Sequence, residues 1–210
     1  MTIDPSLPAT STFIGTGRLR SGGLLLLSTG VLQLVGATTF VFPTVAGLFP
    51  PIVQLTAWAA GGVLLLAAGL VLAARGRLTS TRPAALGRVA VLVFGATGLL
   101  DLLVVFIALT ARGGHGVAVA AIVIEHAVVL AASAITASRL IRTTELTPIG
   151  RYALVPVVLI DALTLVLAAT TATGELFLLS AYVLRPALLT AAGARYAFFE
   201  TQLQTPLAHR

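Results

Sequence analysis

Six apolar segments, separated by short connections, constrain the fold of this chain more than any other feature. Each has roughly the 20 residues that an α-helix needs to cross about 30 Å of bilayer hydrocarbon. Hydrophobic residues make up 58% of the chain and charged residues only 10%, whereas a soluble domain has about 25% charged residues. The sequence therefore predicts an all-α membrane protein with six transmembrane helices in a compact bundle. The predicted segments cover about residues 23–46, 53–74, 89–111, 117–138, 152–171 and 176–196.

The predicted membrane domain covers residues 21–198 and leaves a short tail at each end. Residues 1–20 are mostly polar and include Pro5 and Pro8, and the first apolar segment ends without the small-residue cleavage pattern of a signal peptide. We expect them, and residues 199–210, to be flexible cytoplasmic tails.

The arginines predict how the chain is oriented. All 13 basic residues are arginine, and Arg112 alone occupies an odd-numbered connection between segments. Because arginine-rich connections stay on the cytoplasmic side, both termini are predicted to be cytoplasmic in a multi-pass inner (plasma) membrane protein. The lysine-free, alanine- and leucine-rich composition is typical of a bacterium with a GC-rich genome. The termini and the even-numbered connections hold Arg18, Arg20, Arg75, Arg77, Arg82, Arg88, Arg139, Arg142, Arg151, Arg195 and Arg210.

Four charged residues interrupt the later apolar segments near their midpoints: Asp101, Glu125, Asp161 and Arg185. Insertion scales put the cost of one such charge at about 2.5–3.5 kcal/mol, so the charges point to a structural or functional role. Each lies 10–14 residues from a flanking arginine, or about 15–21 Å at 1.5 Å per residue. The four residues are therefore predicted to share one layer at the centre of the bilayer.

Within this layer the sequence predicts two different kinds of pair. Asp161 and Arg185 lie at equal depth on consecutive helices and are expected to form an ion pair. Asp101 and Glu125 have no counter-charge, so at least one should be protonated or matched by a bound cation. His126 could relay protons to this pair, although it points about 100° away from Glu125, which favours a histidine that belongs to the packed core.

Gln33 and Gln54 on the first two helices, and Tyr182 on the same helix as Arg185, are predicted to support this polar site. A purely structural interpretation remains open. In that case the ion pair holds two helices together, and the other two acids form hydrogen bonds to threonine or glutamine side chains as packing contacts.

A weak internal repeat accompanies the charges. The spacings from Asp101 to Glu125 and from Asp161 to Arg185 are both 24 residues. Three repeated helical hairpins would produce this pattern, and so would any six-helix protein with arginines in alternate connections.

The sequence does not provide the residues that several classes of function require. Without cysteine there is no thiolate site, and without lysine there is no Schiff-base chemistry. His115, His126 and His209 lie at different depths, which disfavours a zinc site. No hydrolase motif is present, and the arginines form no continuous patch for nucleic acid. We therefore expect no catalytic residue, cofactor, metal or nucleic acid, and the sequence disfavours an enzyme.

Two hypotheses remain. The first is a small transporter, or a membrane-embedded substrate-binding subunit, whose polar site handles protons, a cation or a small-molecule ligand. The second is a structural or assembly subunit whose buried charges specify helix packing. Expected partners are the lipid bilayer and either another membrane protein or further copies of the chain.

Overall fold

The chain is helical throughout the part that the structure describes. A computed structural model describes residues 16–41, 50–73, 82–110, 115–142, 146–170 and 174–200, and these contain no strand. The predicted all-α class is confirmed. The two tails, apart from residues 16–20 and 199–200, and the loop with Arg112 lie outside the described residues. The helices are α1 (Thr16–Val41), α2 (Pro51–Ala73), α3 (Arg82–Thr110), α4 (His115–Ile141), α5 (Pro148–Tyr152), α6 (Val155–Thr170) and α7 (Glu175–Phe199).

Five helical stretches are long and apolar enough to cross a membrane, which marks the protein as membrane-embedded. They are Leu19–Ala37, Ile52–Ala73, Gly116–Ile141, Pro148–Thr170 and Glu175–Phe199. Helix α3 contributes a shorter apolar stretch, Val91–Val104. Helices of sufficient length and apolarity thus coincide with five of the six predicted segments, while the span predicted at about residues 89–111, the orientation and the repeat stay predictions.

The fifth and sixth segments differ from the predicted ones at their ends. The fifth begins at Pro148, because Thr147 accepts a hydrogen bond from the Gly150 amide and so caps the short helix α5. A turn at Ala153–Leu154 separates α5 from α6, just before Pro156. Helix α7 continues to Phe199, and the next residue, Glu200, is buried. Residues 199 and 200 therefore extend the bundle past its predicted boundary.

The six long helices form a closed ring in chain order. Helix α1 packs against α2, α2 against α3, and α3 against α4. Helix α4 then packs against α6, α6 against α7, and α7 returns to α1. Sequential neighbours are the expected result of short connections. The ring directs one face of each helix toward a shared interior.

Polar and apolar side chains are distributed as expected for a protein in lipid. Leu, Ile and Val make up most of the exposed large apolar side chains; Leu159 (66% exposed), Ile124 (64%) and Val166 (59%) are examples. Apolar surface of this extent is unusual in a soluble monomer. The polar and charged side chains buried among the described residues are Thr29, Gln33, Gln54, Thr97, Glu125, His126, Ser133, Thr136, Asp161, Thr164, Ser180, Arg185 and Glu200.

Glycines allow the helix backbones to approach closely. At the α2–α3 contact, a Cβ added to Gly98 would lie 2.7 Å from the Gly62 oxygen. At the α1–α7 contact, a Cβ on Gly193 would lie 2.7 Å from the Gly23 oxygen. Small residues at such contacts are a main source of association between membrane helices, because they let backbones pack without intervening side chains.

We expect Gly98→Ala to lower the free energy of unfolding by about 1–3 kcal/mol, because the methyl group would overpack the α2–α3 contact. Gly116→Ala is the matched control, since a Cβ there meets nothing within 4 Å. Unfolding in mixed detergent micelles measures both. Equal stability of the two variants would show that the close approach at Gly98 is not required.

Candidate mid-membrane polar site

The ion pair between Asp161 and Arg185 connects helices α6 and α7. The Arg185 Nε donates to Asp161 Oδ1 at 2.9 Å, and the two side chains are 10% and 1% exposed. Asp161 belongs to the buried face of α6, together with Val157, Thr164 and Ala168, at the spacing of a helix face that packs inward. The structure thus brings together the two residues that equal depth had paired in the sequence.

A π-helical turn directly precedes Arg185. Residues Ser180–Leu184 form this turn, and the Arg185 amide donates to the Ser180 carbonyl, five residues earlier. Single π-helical turns within α-helices are rare and occur frequently at functional sites. Pro186, which follows, has no amide hydrogen to donate. The helix that carries Arg185 is therefore irregular where the charge enters the bundle.

The second acidic pair is held by a hydrogen bond between its own carboxyl groups. The Asp101 side chain on α3 is hydrogen-bonded to the Glu125 side chain on α4 and to the Trp58 side chain on α2. Indole nitrogen only donates, so Trp58 donates to Asp101. A hydrogen bond between two carboxyl groups requires that one carries a proton. Because the hydrogen bond that Trp58 donates favours the ionised form of Asp101, we assign the proton to Glu125, which then donates to Asp101.

His126 lies next to Glu125, and its ring reaches helix α7. Its Nδ1 is 2.9 Å from the Ile122 carbonyl and 3.8 Å from Glu125 Oε2. A carbonyl oxygen only accepts, so Nδ1 carries the hydrogen and Nε2 remains available for a second proton. The ring also packs against Phe177 of α7, with centroids 5.4 Å apart.

A small cavity lies between these groups. Its volume is about 20 Å³, enough for one or two water molecules and too small for an organic ligand of ordinary size. Helices α2, α3, α4 and α7 all contribute to its wall. The lining residues are Trp58, Thr97, Asp101, Glu125, His126, Val129, Ala181, Tyr182 and Arg185.

The supporting residues predicted from the sequence divide into two groups. Tyr182 lines the cavity and packs against Trp58, with ring centroids 5.1 Å apart. Gln33 and Gln54 are 1% and 2% exposed, but neither lines the cavity. Gln33 lies at the α1–α2 contact, where its Cγ would be 2.9 Å from a Cβ added to Gly61.

A second polar cluster, which sequence reasoning missed, ties the end of α7 to the start of α5. We call it the Glu200 cluster; it comprises Thr147, Gly150, Arg195, Tyr196 and Glu200. The fully buried Glu200 carboxylate accepts from the Thr147 amide at 2.9 Å, from the Thr147 hydroxyl, and from Arg195 Nε at 3.1 Å. Tyr196 donates to the Gly150 carbonyl at 3.0 Å. The available signal was an acid one turn beyond an arginine, in a chain with only seven acids.

Comparisons with protein-family models, curated proteins and solved structures gave no match to this chain. Within the described residues, no group of three histidine and acidic side chains is arranged to hold a metal ion.

Proposed function

We propose that this protein is a small proton-coupled transporter of the plasma membrane, with six spans and Asp101 and Glu125 as its proton-binding pair. The carboxyl–carboxyl hydrogen bond of this pair, beside a water-sized cavity in an apolar bundle, carries the proposal. Acidic pairs are rare at this depth because of their cost, and in pumps and transporters such residues form proton relays.

The neighbouring groups suit proton exchange. The pair can gain a second proton or lose its first, and each change alters the local charge by one unit. His126 Nε2, on the same turn as Glu125, can accept and pass on a proton. Arg185 lies close enough to interact electrostatically with both acids. In this scheme Arg185 responds electrostatically to the protonation of the Asp101–Glu125 pair, while Asp161 holds Arg185 in place.

The arginines support cytoplasmic termini. Helix α1 begins near Arg20 and helix α5 begins near Arg151. Helix α4 ends near Arg142, and helix α7 ends near Arg195. In a ring of alternating up and down helices, these four ends lie on one side. That side is then the cytoplasmic one, and its arginines would attract anionic lipid head groups.

Infrared spectroscopy tests the proton-binding pair directly. We expect the purified protein at neutral pH to show the carbonyl band of a protonated carboxylic acid, and this band to disappear in Glu125→Gln. Glu175→Gln is the matched control, because Glu175 is exposed at the start of α7 and should not contribute to the band. Absence of the band from the unmodified protein would overturn the proposal.

Transport itself is measured in vesicles that contain the protein and a pH-sensitive dye. We expect a gradient of the transported solute to drive proton movement, and both Asp101→Asn and Glu125→Gln to abolish it while the proteins remain folded.

The alternative function is a structural or assembly subunit, which docks on another membrane protein or on further copies of the chain. The close Asp161–Arg185 pair and the small size of the cavity favour it. If Asp101→Asn and Glu125→Gln both lose expression and thermal stability together, the acids serve packing and this alternative replaces the transporter.

A further inference from the structure

Arg185 has hydrogen-bonding capacity that its ion pair does not use. Nε is bonded to Asp161, but Nη2, although buried, has no hydrogen-bond partner among the described residues. The side chain is 90% buried, being 10% exposed, and it lines the cavity. A buried guanidinium N–H without an acceptor is costly. The cavity is thus the place where an acceptor would satisfy it.

The charges around the cavity decide what kind of acceptor it accommodates. Facing Arg185 are Asp101 from α3, Glu125 and His126 from α4, Asp161 from α6 and Tyr182 from α7. With one proton on the Asp101–Glu125 pair and neutral His126, the layer carries about one negative charge. An anion alone would double that charge, whereas an anion that arrives with a proton leaves it unchanged.

We propose that the cavity binds a small monovalent anion at Nη2 of Arg185, together with a second proton on the Asp101–Glu125 pair. This inference rests on the proposed function and names its substrate class. The size of the cavity limits the anion to roughly that of a halide, nitrate or formate. A planar, permanently charged guanidinium is a suitable donor for such ions.

The coupling predicts a definite dependence on pH. When one proton binds with each anion, the apparent affinity for the anion rises about tenfold for each unit by which the pH falls. This slope holds over the range in which the empty pair carries one proton and the occupied pair carries two. Below that range, where the empty pair already has both protons, the affinity becomes constant.

Trp58 provides the measurement. It is the single tryptophan of the chain, it lines the cavity, and its indole is hydrogen-bonded to Asp101. We would titrate the full-length protein in detergent with chloride, nitrate and formate at several pH values and follow Trp58 emission. Gluconate at the same ionic strength, which is too large for the cavity, is the control. We expect saturable changes with the three small anions only.

Two variants separate the anion from the proton. Asp101→Asn is neutral like the protonated Asp101 of the anion-bound state, so it removes the site of the second proton and should make anion binding nearly independent of pH. Arg185→Lys retains the charge but not the guanidinium, and should weaken binding at least about tenfold. The melting temperature of each variant shows whether it is folded.

No response to any small anion, in a protein that shows the infrared band of a protonated acid, would overturn this inference and leave the proton-binding pair intact. A response that is independent of pH would show that no proton binds together with the anion. Absence of both the infrared band and the response to anions in the unmodified protein would overturn the proposed function as well.

Discussion

Arg185→Leu should lower the free energy of unfolding by about 3–5 kcal/mol, because it leaves the carboxylate of Asp161 buried without a counter-charge. Asp161 is only 1% exposed, and its hydrogen bond to Arg185 Nε is 2.9 Å long. Removal of one member of a buried pair costs far more than removal of both. Unfolding by a denaturing detergent, followed through Trp58 emission, measures the change.

The double variant Arg185→Leu/Asp161→Asn tests the cause. If the unpaired carboxylate is responsible, the double variant recovers more than half of the stability that Arg185→Leu loses. Arg142→Gln is the matched control, since Arg142 is exposed at the end of α4 and its change should stay within about 0.5 kcal/mol. If the loss in the double variant equals the sum of the losses in Arg185→Leu and in the single variant Asp161→Asn, a direct interaction of the pair is contradicted.

The sequence was sufficient to predict this pair because depth and chain order determine it. Asp161 and Arg185 lie on consecutive long helices, which short connections place side by side. The rise per residue then puts both charges at one level. The same reasoning placed Asp101 and Glu125 together, and the structure joins them by a hydrogen bond.

The contacts that depend on helix rotation could not be predicted. Trp58 donates to Asp101 across the α2–α3 contact, and this direction depends on how closely Gly62 and Gly98 allow the backbones to approach. Gln33, although at a suitable depth, is turned toward Gly61 and away from the cavity. Apolarity on all sides of these helices leaves no periodicity from which a rotation could be inferred.

The π-helical turn at Ser180–Leu184 had no local signal either. Pro186 indicates an irregular helix, but it does not determine whether the result is a kink or an inserted residue. The choice follows from packing, since Arg185 must reach Asp161 on α6 while Ala181 and Tyr182 remain at the cavity. Such a constraint is tertiary and is not encoded by neighbours in the sequence.

The sequence predicts a tail at Glu200 because this residue follows the last apolar segment. Its partner Thr147 is 53 residues away and belongs to a connection that composition alone describes as a polar loop. The structure instead makes Glu200 a fully buried acceptor for the start of α5. This placement leads to the second large effect on stability.

Glu200→Gln should lower the free energy of unfolding by about 3 kcal/mol. The change breaks a buried ion pair, and it places the N–H group of the new amide opposite groups that are themselves hydrogen-bond donors. Arg195 Nη2 lies 3.0 Å from Glu200 Oε1 and would lose its charged partner. The Thr147 amide and hydroxyl, which now donate to the two carboxylate oxygens, could not both keep an acceptor. Glu175→Gln, which changes an exposed acid at the start of α7, should have little effect.

Gly150 shows whether the effect arises inside the cluster. A Cβ on Gly150 would overlap the Glu200 carboxylate, so Gly150→Ala should also destabilise the protein. Glu200→Ala removes the group with which that methyl collides. We therefore expect the double variant Gly150→Ala/Glu200→Ala to be more stable than the sum of the two single effects allows, by about 1 kcal/mol or more. Additive losses would place the two residues in separate environments and contradict the packing of α5 against the end of α7.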